Sequence, residues 1–533
     1  LAALGGPSAS ATAPATAAAT DPAPATAAGT WLVGQLQATG WIAHNQQYDF
    51  DDYGLTIDAG IALDEAGAPD SVVASISDAL ADHLDAYVAP GYGTNLSAGG
   101  TAKALVLAQL AGADPTSYGG RNLVTDLEGR VSSDGANAGR IEDDWDSGDP
   151  NAADYANVIG QAFAAHGLDT AGSAKTDAVT DFLLEQQCSA GYFRLDFSDV
   201  AAADQSCDGS DGKPDVDATA LAIQSLQGQL DDTDVAGPVA DAVDWLLAHQ
   251  KASGGFGSDA DIPTANADST GEAAYALLIS GETEAAAKAA AWLRAHQATN
   301  VANCVYYDAA DAGAVLYDDA ARKAAQAAPM DAALTDQSLR ATSEALVGLL
   351  AATTGPGSPN VLYAPGYVKA GGTTQVGVND AAPGEALCAM LGEQSVLGWA
   401  NPAGEASLKV RVPAKAGAST VRVANVGGRV GKAHLIALGA KRLAVSPKSE
   451  RVAGGHRQVI TVRGLAPGEV ATVSISWPDK GSSSSGEGTA SQADRHGVLR
   501  VTAKVPHRPG IAKVEATGQF RNRAGATTFR VTR

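Results

Sequence analysis

Trp245-Leu-Leu-Ala-His-Gln250 is followed by Ser253-Gly-Gly-Phe-Gly257 and then by Asp268-Ser-Thr-Gly-Glu-Ala273. The first stretch reads as an amphipathic helix with a large aromatic anchor. The second reads as a glycine-rich loop, and the third as the start of an Ala/Leu-rich helix. These phrases recur. Trp292-Leu-Arg-Ala-His-Gln297, Phe182-Leu-Leu-Glu-Gln-Gln187 and Trp31-Leu32 repeat the first. Thr56/Ala59, Thr101/Ala104, Thr219/Ala222, Thr270/Ala273 and Thr342/Ala345 repeat Thr-x-x-Ala, and Asn157/Gly160 fills a sixth place with altered letters. Positions i and i+3 share a helix face, so small residues there let two helices approach closely. Asp217 and Asp268 stand two residues before their threonines, where an acid suits the positive end of a helix. Self-similarity of this kind marks a repeat architecture. Six helix–loop–helix units over residues 30–355 are expected to close into a ring of two helix layers.

The pattern W-L-x-x-x-Q, a G-G-F-type loop and D-x-T-x-x-A-x-x-x-L resembles the prenyltransferase/terpene-cyclase repeat superfamily, which implies an all-α (α/α)6 toroid. Its branches differ in chemistry, so residues must decide function. Asp49-Phe-Asp51-Asp52 has the DxDD form of a class II terpene cyclase. That resemblance implies Asp51 as proton donor, its acidity set by Asp49 and Asp52. Against it, a carbocation needs aromatic walls, and aromatic residues make up 5% of this chain. The zinc site of protein prenyltransferases needs a free cysteine, whereas Cys188, Cys207, Cys304 and Cys388 read as disulfides. The thioester branch needs a Cys–Gln crosslink that the spacing of Cys388 and Gln394 does not supply. The transcobalamin-like branch implies a ligand held between toroid and appended β-domain. On that reading the inner helices run parallel, and Tyr53, Tyr192, Phe193 and Phe256 are expected as ligand contacts at one mouth of the ring. Asp208, Asp211, Asp215 and Asp217 follow Cys207 and loosely resemble a calcium loop, without the terminal glutamate or the regular spacing. Calcium is the one cofactor the sequence admits.

The chain has 533 residues and a net charge of −24. That balance excludes a nucleic-acid binder, and no run of apolar residues is long enough for a membrane span. The charge is uneven. Residues 1–362 carry −37, residues 363–440 carry +3 and residues 441–533 carry +10. The basic part contains its own repeat: Ala382-Pro-Gly-Glu385 returns as Ala466-Pro-Gly-Glu469, and Val412-Pro413 as Val505-Pro506. Alternating runs such as Ser407-Leu-Lys-Val-Arg-Val412 lie between these turns. Two all-β sandwiches, 363–440 and 441–533, are expected, resembling tandem immunoglobulin-like modules of bacterial surface proteins.

Residues 1–29 read as the remnant of a signal peptide followed by a mobile Ala/Pro/Thr leader. Four cysteines allow three pairings. Cys188 and Cys207 bracket one loop, which leaves Cys304 with Cys388 and fits an oxidising exterior. The expectation is a secreted or wall-associated, non-catalytic binding protein of actinobacterial type. Its acidic head captures a small-molecule or macromolecular ligand, and its basic stalk lies against anionic wall polymers. The alternatives are the DxDD enzyme and a structural adhesin or filament subunit.

Overall fold

The computed structural model describes residues 19–91, 94–133, 135–146, 148, 153–210, 212–259, 261–478 and 488–533. The signal-like stretch at 1–11 lies outside them. The chain folds as a helical part followed by a β part.

The helices are α1 (Ala23–Ala38), α2 (Tyr53–Glu65), α3 (Asp70–Asp82), α4 (Leu84–Val88), α5 (Ala98–Leu110), α6 (Leu123–Glu128) and α7 (Val158–Thr170). They continue with α8 (Thr176–Glu185), α9 (Val216–Ser225), α10 (Thr233–His249), α11 (Ala267–Ile279), α12 (Thr283–Ala295), α13 (Asp319–Ala327) and α14 (Ala332–Gly348). Their contacts form a circuit. Helix α2 packs on α5, α5 on α7, α7 on α9, α9 on α11, α11 on α14, and α14 returns to α2. Each member of that circuit carries one outside partner, respectively α3, α6, α8, α10, α12 and α1.

Helix α1 corrects the leader expectation. The Ala/Pro/Thr composition looks unable to hold structure, yet a helix begins at Ala23. Alanine is the best helix former, and Pro24 sits in the first turn, where no backbone donor is lost. Ala28, Leu32 and Leu36 are buried, and the helix supplies the outside partner that α14 otherwise lacks.

The repeated letters now have causes. Each circuit helix up to α11 opens on a capping side chain: Asp52, Ser97, Asn157, Asp215 and Asn266 all accept a backbone N–H three residues on. The threonine four residues after the cap, and in α14 the threonine eleven residues after its cap Asp331, tie down a preceding loop. The N–H groups of Ala43, Phe193, Phe256 and Val315 donate to Oγ1 of Thr56, Thr219, Thr270 and Thr342 at 2.8–2.9 Å. In α7 the equivalent is Gln161, which accepts from the Ile141 N–H at 2.9 Å. The sixth place therefore belongs to Gln161, with Asn157 as cap and Gly160 against the Gly99 backbone.

The glutamine of the Trp phrase joins neighbouring units. The Gln250 amide donates to the carbonyls of Gly254 (3.0 Å) and Ala285 on α12 (2.8 Å). Gln187 does the same to Gly191 and Pro238, and Gln297 to Gly313 and Pro24. Gly254 is at φ +94°, and a Cβ there would meet the Lys288 carbonyl oxygen at 2.2 Å, so only glycine fits. Inside the circuit, a Cβ on Gly271 of α11 would lie 2.6 Å from the Ala345 Cα of α14, which is why the small-residue face is needed. His249 and His296 stack on Trp245 and Trp292 and lie against the carbonyl oxygens of those residues. Burial drives the His296 pKa down to about 4, so its ring is neutral at physiological pH.

Strands between Asn360 and Leu438 form a three-stranded and a five-stranded sheet around Val376, Leu387, Val410 and Val421. Strands between Lys441 and Thr532 form a second pair of sheets around Ile460, Val473, Val514 and Phe529. The first set opens at Asn360, three residues before the expected boundary. In both Ala-Pro-Gly-Glu turns the glutamate folds back onto the backbone N–H of the alanine, Glu385 onto Ala382 at 3.0 Å and Glu469 onto Ala466 at 2.7 Å. Glu469 also holds buried Arg523 at 2.7 Å.

Disulfides join Cys188 to Cys207 and Cys304 to Cys388. The second ties the helical part to strand Ala386–Leu391. Around it Val301, Ala386 and Ala424 are buried together, and the Arg322 guanidinium lies 4.3 Å over the Trp399 ring. Among the described residues no helix is long and apolar enough to cross a membrane.

Candidate ligand cavity

A cavity of about 530 Å³ lies inside the helix circuit, lined by residues from all six of its helices. That volume falls in the range of small-molecule sites, about 300–1,000 Å³. Its lining follows the repeat register. Counting from each helix's threonine, or from Gln161 in α7, position −2 gives Ile159, Asp217, Asp268 and Arg340. Position +2 gives Asp58, Lys103, Phe163, Leu221, Glu272 and Glu344, and position +5 gives Ile61, Val106, His166, Gln224, Tyr275 and Val347. All of these line the cavity except Asp268, which lines the adjoining outer cleft with Asp52 and Arg340. Residues of equal register meet across neighbours. Lys103 pairs with Asp58 at 2.5 Å, and the Asp217 and Asp268 carboxylates act on each other. The circuit helices therefore run in the same direction.

The two sides of the cavity differ. Helices α5 and α7 supply Val106, Leu110, Ile159 and Phe163. Helices α11 and α14, across the circuit from them, supply Glu272 and Glu344, with Asp217 beside them on α9 and Asp268 at the junction with the outer cleft. The two basic groups are engaged: Lys103 by Asp58, and Arg340 by Asp52 at 3.1 Å and Glu344 at 3.9 Å. Glu272 accepts from the Gln224 amide at 2.7 Å, and one Asp217 oxygen accepts from the Ser258 hydroxyl at 2.9 Å. Oδ1 of Asp217 and Oδ1 of Asp268 are buried without a hydrogen bond of normal geometry.

Burial disfavours charge on this acidic wall. It raises Asp217, takes Asp268 to about 7 with help from the Asp217 charge, and takes Glu272 to about 8. Glu344 is pushed well above the carboxylate range, by burial first and then by Asp268. Burial opposes the charge on Lys103, but Asp58 outweighs it and holds the amine above its ordinary value. Tyr275 is raised by burial and by its contact with Glu65.

The expected site residues are distributed differently. Phe193 and Phe256 are 0% exposed. Their backbones are bound to the threonines, and their rings fill the core instead of a mouth. Tyr53 stacks on His83, and the Tyr192 hydroxyl donates to the Gly212 carbonyl at 2.6 Å. None of the four lines the cavity. The DxDD aspartates also separate. Asp49 and Asp51 sit with His44 on an exposed hairpin, 3.4 and 2.9 Å from its ring nitrogens, while Asp52 caps α2 and holds Arg340. Neither Asp49 nor Asp51 is among the residues that line the cavity.

The calcium loop is dispersed as well. Asp208 accepts from Ser189, Asp215 caps α9 with a pKa raised by burial to about 6, and Asp217 faces the cavity. Asp211 lies outside the described residues. Among the described residues, no three His, Cys, Asp or Glu side chains come together as a metal site. Glu272 and Glu344 were not among the expected site residues, yet each stands two places after a repeated threonine, and that register is readable in the sequence.

No protein-family model and no curated protein matches the chain. Among solved structures, the type II terpene cyclase MstE from Scytonema is 15% identical, over 62% of this chain and 98% of that one, at a TM-score of 0.43. The Yersinia pseudotuberculosis adhesin InvE is 15% identical over 33% of this chain, at a TM-score of 0.19, and the match spans 59% of that structure. A tetra-tandem repeat from the extending region of a large adhesion protein is 14% identical over 33% of this chain, at a TM-score of 0.17. Likeness at that level assigns no chemistry to this chain.

Proposed function

We propose that the chain is a secreted or cell-surface binding protein that captures a small molecule without transforming it. On this reading the helical part is an (α/α)6 toroid with α2, α5, α7, α9, α11 and α14 as its inner ring. The two β modules are immunoglobulin-like sandwiches that carry it. The observation that carries the reading is the central cavity, built by matching positions of all six inner helices, with carboxylates gathered on α9, α11 and α14 and a mostly apolar face on α5 and α7. An open centre also speaks against a ring that serves only as a filled structural plug. The two disulfides accord with an oxidising exterior. The +13 charge of residues 363–533 suits contact with anionic wall polymers, an attraction that salt screens.

Filling the cavity tests the reading. Leu221→Trp combined with Ile159→Phe narrows it from the apolar side. Native mass spectrometry and thermal-shift screening of the full chain should find ligands that stabilise the wild type and fail to stabilise this variant. Equal stabilisation of both proteins would remove the cavity as the binding site.

A further inference from the structure

The side chains around the cavity leave an imbalance. Asp58 neutralises Lys103, and Asp52 neutralises Arg340, which also lies 3.9 Å from Glu344. Asp217, Asp268 and Glu272 form no salt bridge of their own, and Oδ1 of Asp217 and Oδ1 of Asp268 are buried without a hydrogen bond of normal geometry, although the Ser269 hydroxyl acts on Asp217. A buried acceptor without a donor is costly, and most such atoms in native proteins are satisfied. The opposite side, α5 and α7, is mostly hydrocarbon (Val106, Leu110, Ile159 and Phe163), and its polar members are His166 and the Lys103 that Asp58 engages. A ligand that answers both sides has N–H donors and positive charge at one end and an apolar body at the other. A quaternary ammonium has no N–H to give and relies on an aromatic cage, whereas among the described residues Phe163 and Tyr275 are the phenyl-type rings that line the cavity. A bare divalent cation would leave the apolar side without an occupant.

We infer that the ligand is a primary alkylammonium, its NH3+ head held by Asp217, Asp268 and Glu272 and its hydrocarbon tail lying against α5 and α7. This rests on the cavity being the binding site. The raised carboxyls give the inference a pH signature. Below about pH 7 the Asp268 and Glu272 carboxyls hold their protons, so the ammonium must displace one on binding. The groups facing this pair are Asp58 and Glu65 on α2, Lys103 on α5, His166 on α7, Asp217 on α9, and Arg340 and Glu344 on α14. Tyr275 on α11 and the loop residues Asp259 and Tyr317 complete the set. Among the bases, histidine is the type that ordinarily changes charge between pH 5 and 8, so His166→Gln serves as a control.

Calorimetry on the full chain with decylammonium, decyltrimethylammonium, decanol and decanoate tests the inference. Decylammonium should bind most tightly, about tenfold better at pH 9 than at pH 6, with protons released to the buffer. His166→Gln should keep that gain. Asp268→Asn with Glu272→Gln should weaken decylammonium by about tenfold or more while leaving decanol unchanged, and unaltered far-UV circular dichroism would show that the variant folds. Decanol, decanoate or decyltrimethylammonium binding as tightly as decylammonium overturns the ammonium head and leaves the cavity reading standing. A pH gain lost in His166→Gln but kept in the double variant also overturns it. No binding by any of the four removes both.

Discussion

The seam between helix units and the wall of the cavity are built from the same repeat and behave in opposite ways. In the seam, residue type recurs: Thr, Gln and Gly return at fixed places, and the threonine hydroxyls and glutamine amides pair with the backbone, as Thr270 and Gln250 do. On the cavity wall, position recurs and residue type does not. Two places after the repeated threonine stand Asp58, Lys103, Leu221, Glu272 and Glu344, and two places before it Asp217 and Asp268 each keep a carboxylate oxygen without a hydrogen bond of normal geometry. The recurring letters are the scaffold, because every unit must meet its neighbour in the same way. The varying letters face the one place that all units share, where no neighbouring unit sets the requirement.

Four substitutions sharpen this contrast. The largest effect should come from the seam. Gly254→Ala forces a side chain to a positive φ against the Lys288 carbonyl and should cost about 3–5 kcal/mol in denaturant unfolding. Gln250→Ala leaves two carbonyls without their donor and should cost about 1–3 kcal/mol by the same measurement. If both prove neutral, the seam is not what holds the units together.

A cavity-wall change should act in the other direction. Glu272 has its pKa raised from 4.5 to about 8 in the folded protein. Between those values the native state holds a proton that the unfolded chain releases, so stability falls as pH rises through this window and levels off above it. Glu272→Gln should therefore raise the Tm at pH 9 by several degrees and leave it nearly unchanged at pH 4. An equal shift at both pH values would show that the carboxyl is not strained by burial. The smallest effect belongs to the exposed hairpin, where Asp51→Asn should alter stability by less than about 0.5 kcal/mol and leave ligand binding as it was.

The helical repeat was legible because its signals are local: a cap, a threonine four residues on, a glutamine before a glycine loop. The β modules were legible from alternation and from the duplicated Ala-Pro-Gly-Glu turn. The site was legible only in part. Runs of acids such as 49–52 and 208–217 look like sites because they are close in sequence, but a hairpin and a cap turn their side chains apart. The acids that do meet are drawn from three helices spanning residues 217–344 and share only a register. Phe193 and Phe256 read as loop aromatics, yet the hydrogen bonds that hold their backbones to the threonines also turn the rings inward. Helix α1 was missed because composition describes an isolated segment, whereas its order comes from packing against a helix three hundred residues later.

The bond between Cys304 and Cys388 also sets a route for mechanical force. Tension entering from the second β module travels along strand Ala386–Leu391 and crosses at Cys388 directly to Cys304. Residues 305–387, with α14 among them, lie in the covalent loop that the bond closes. A pull on the second β module would therefore reach Cys304 through covalent bonds that bypass the backbone of α14.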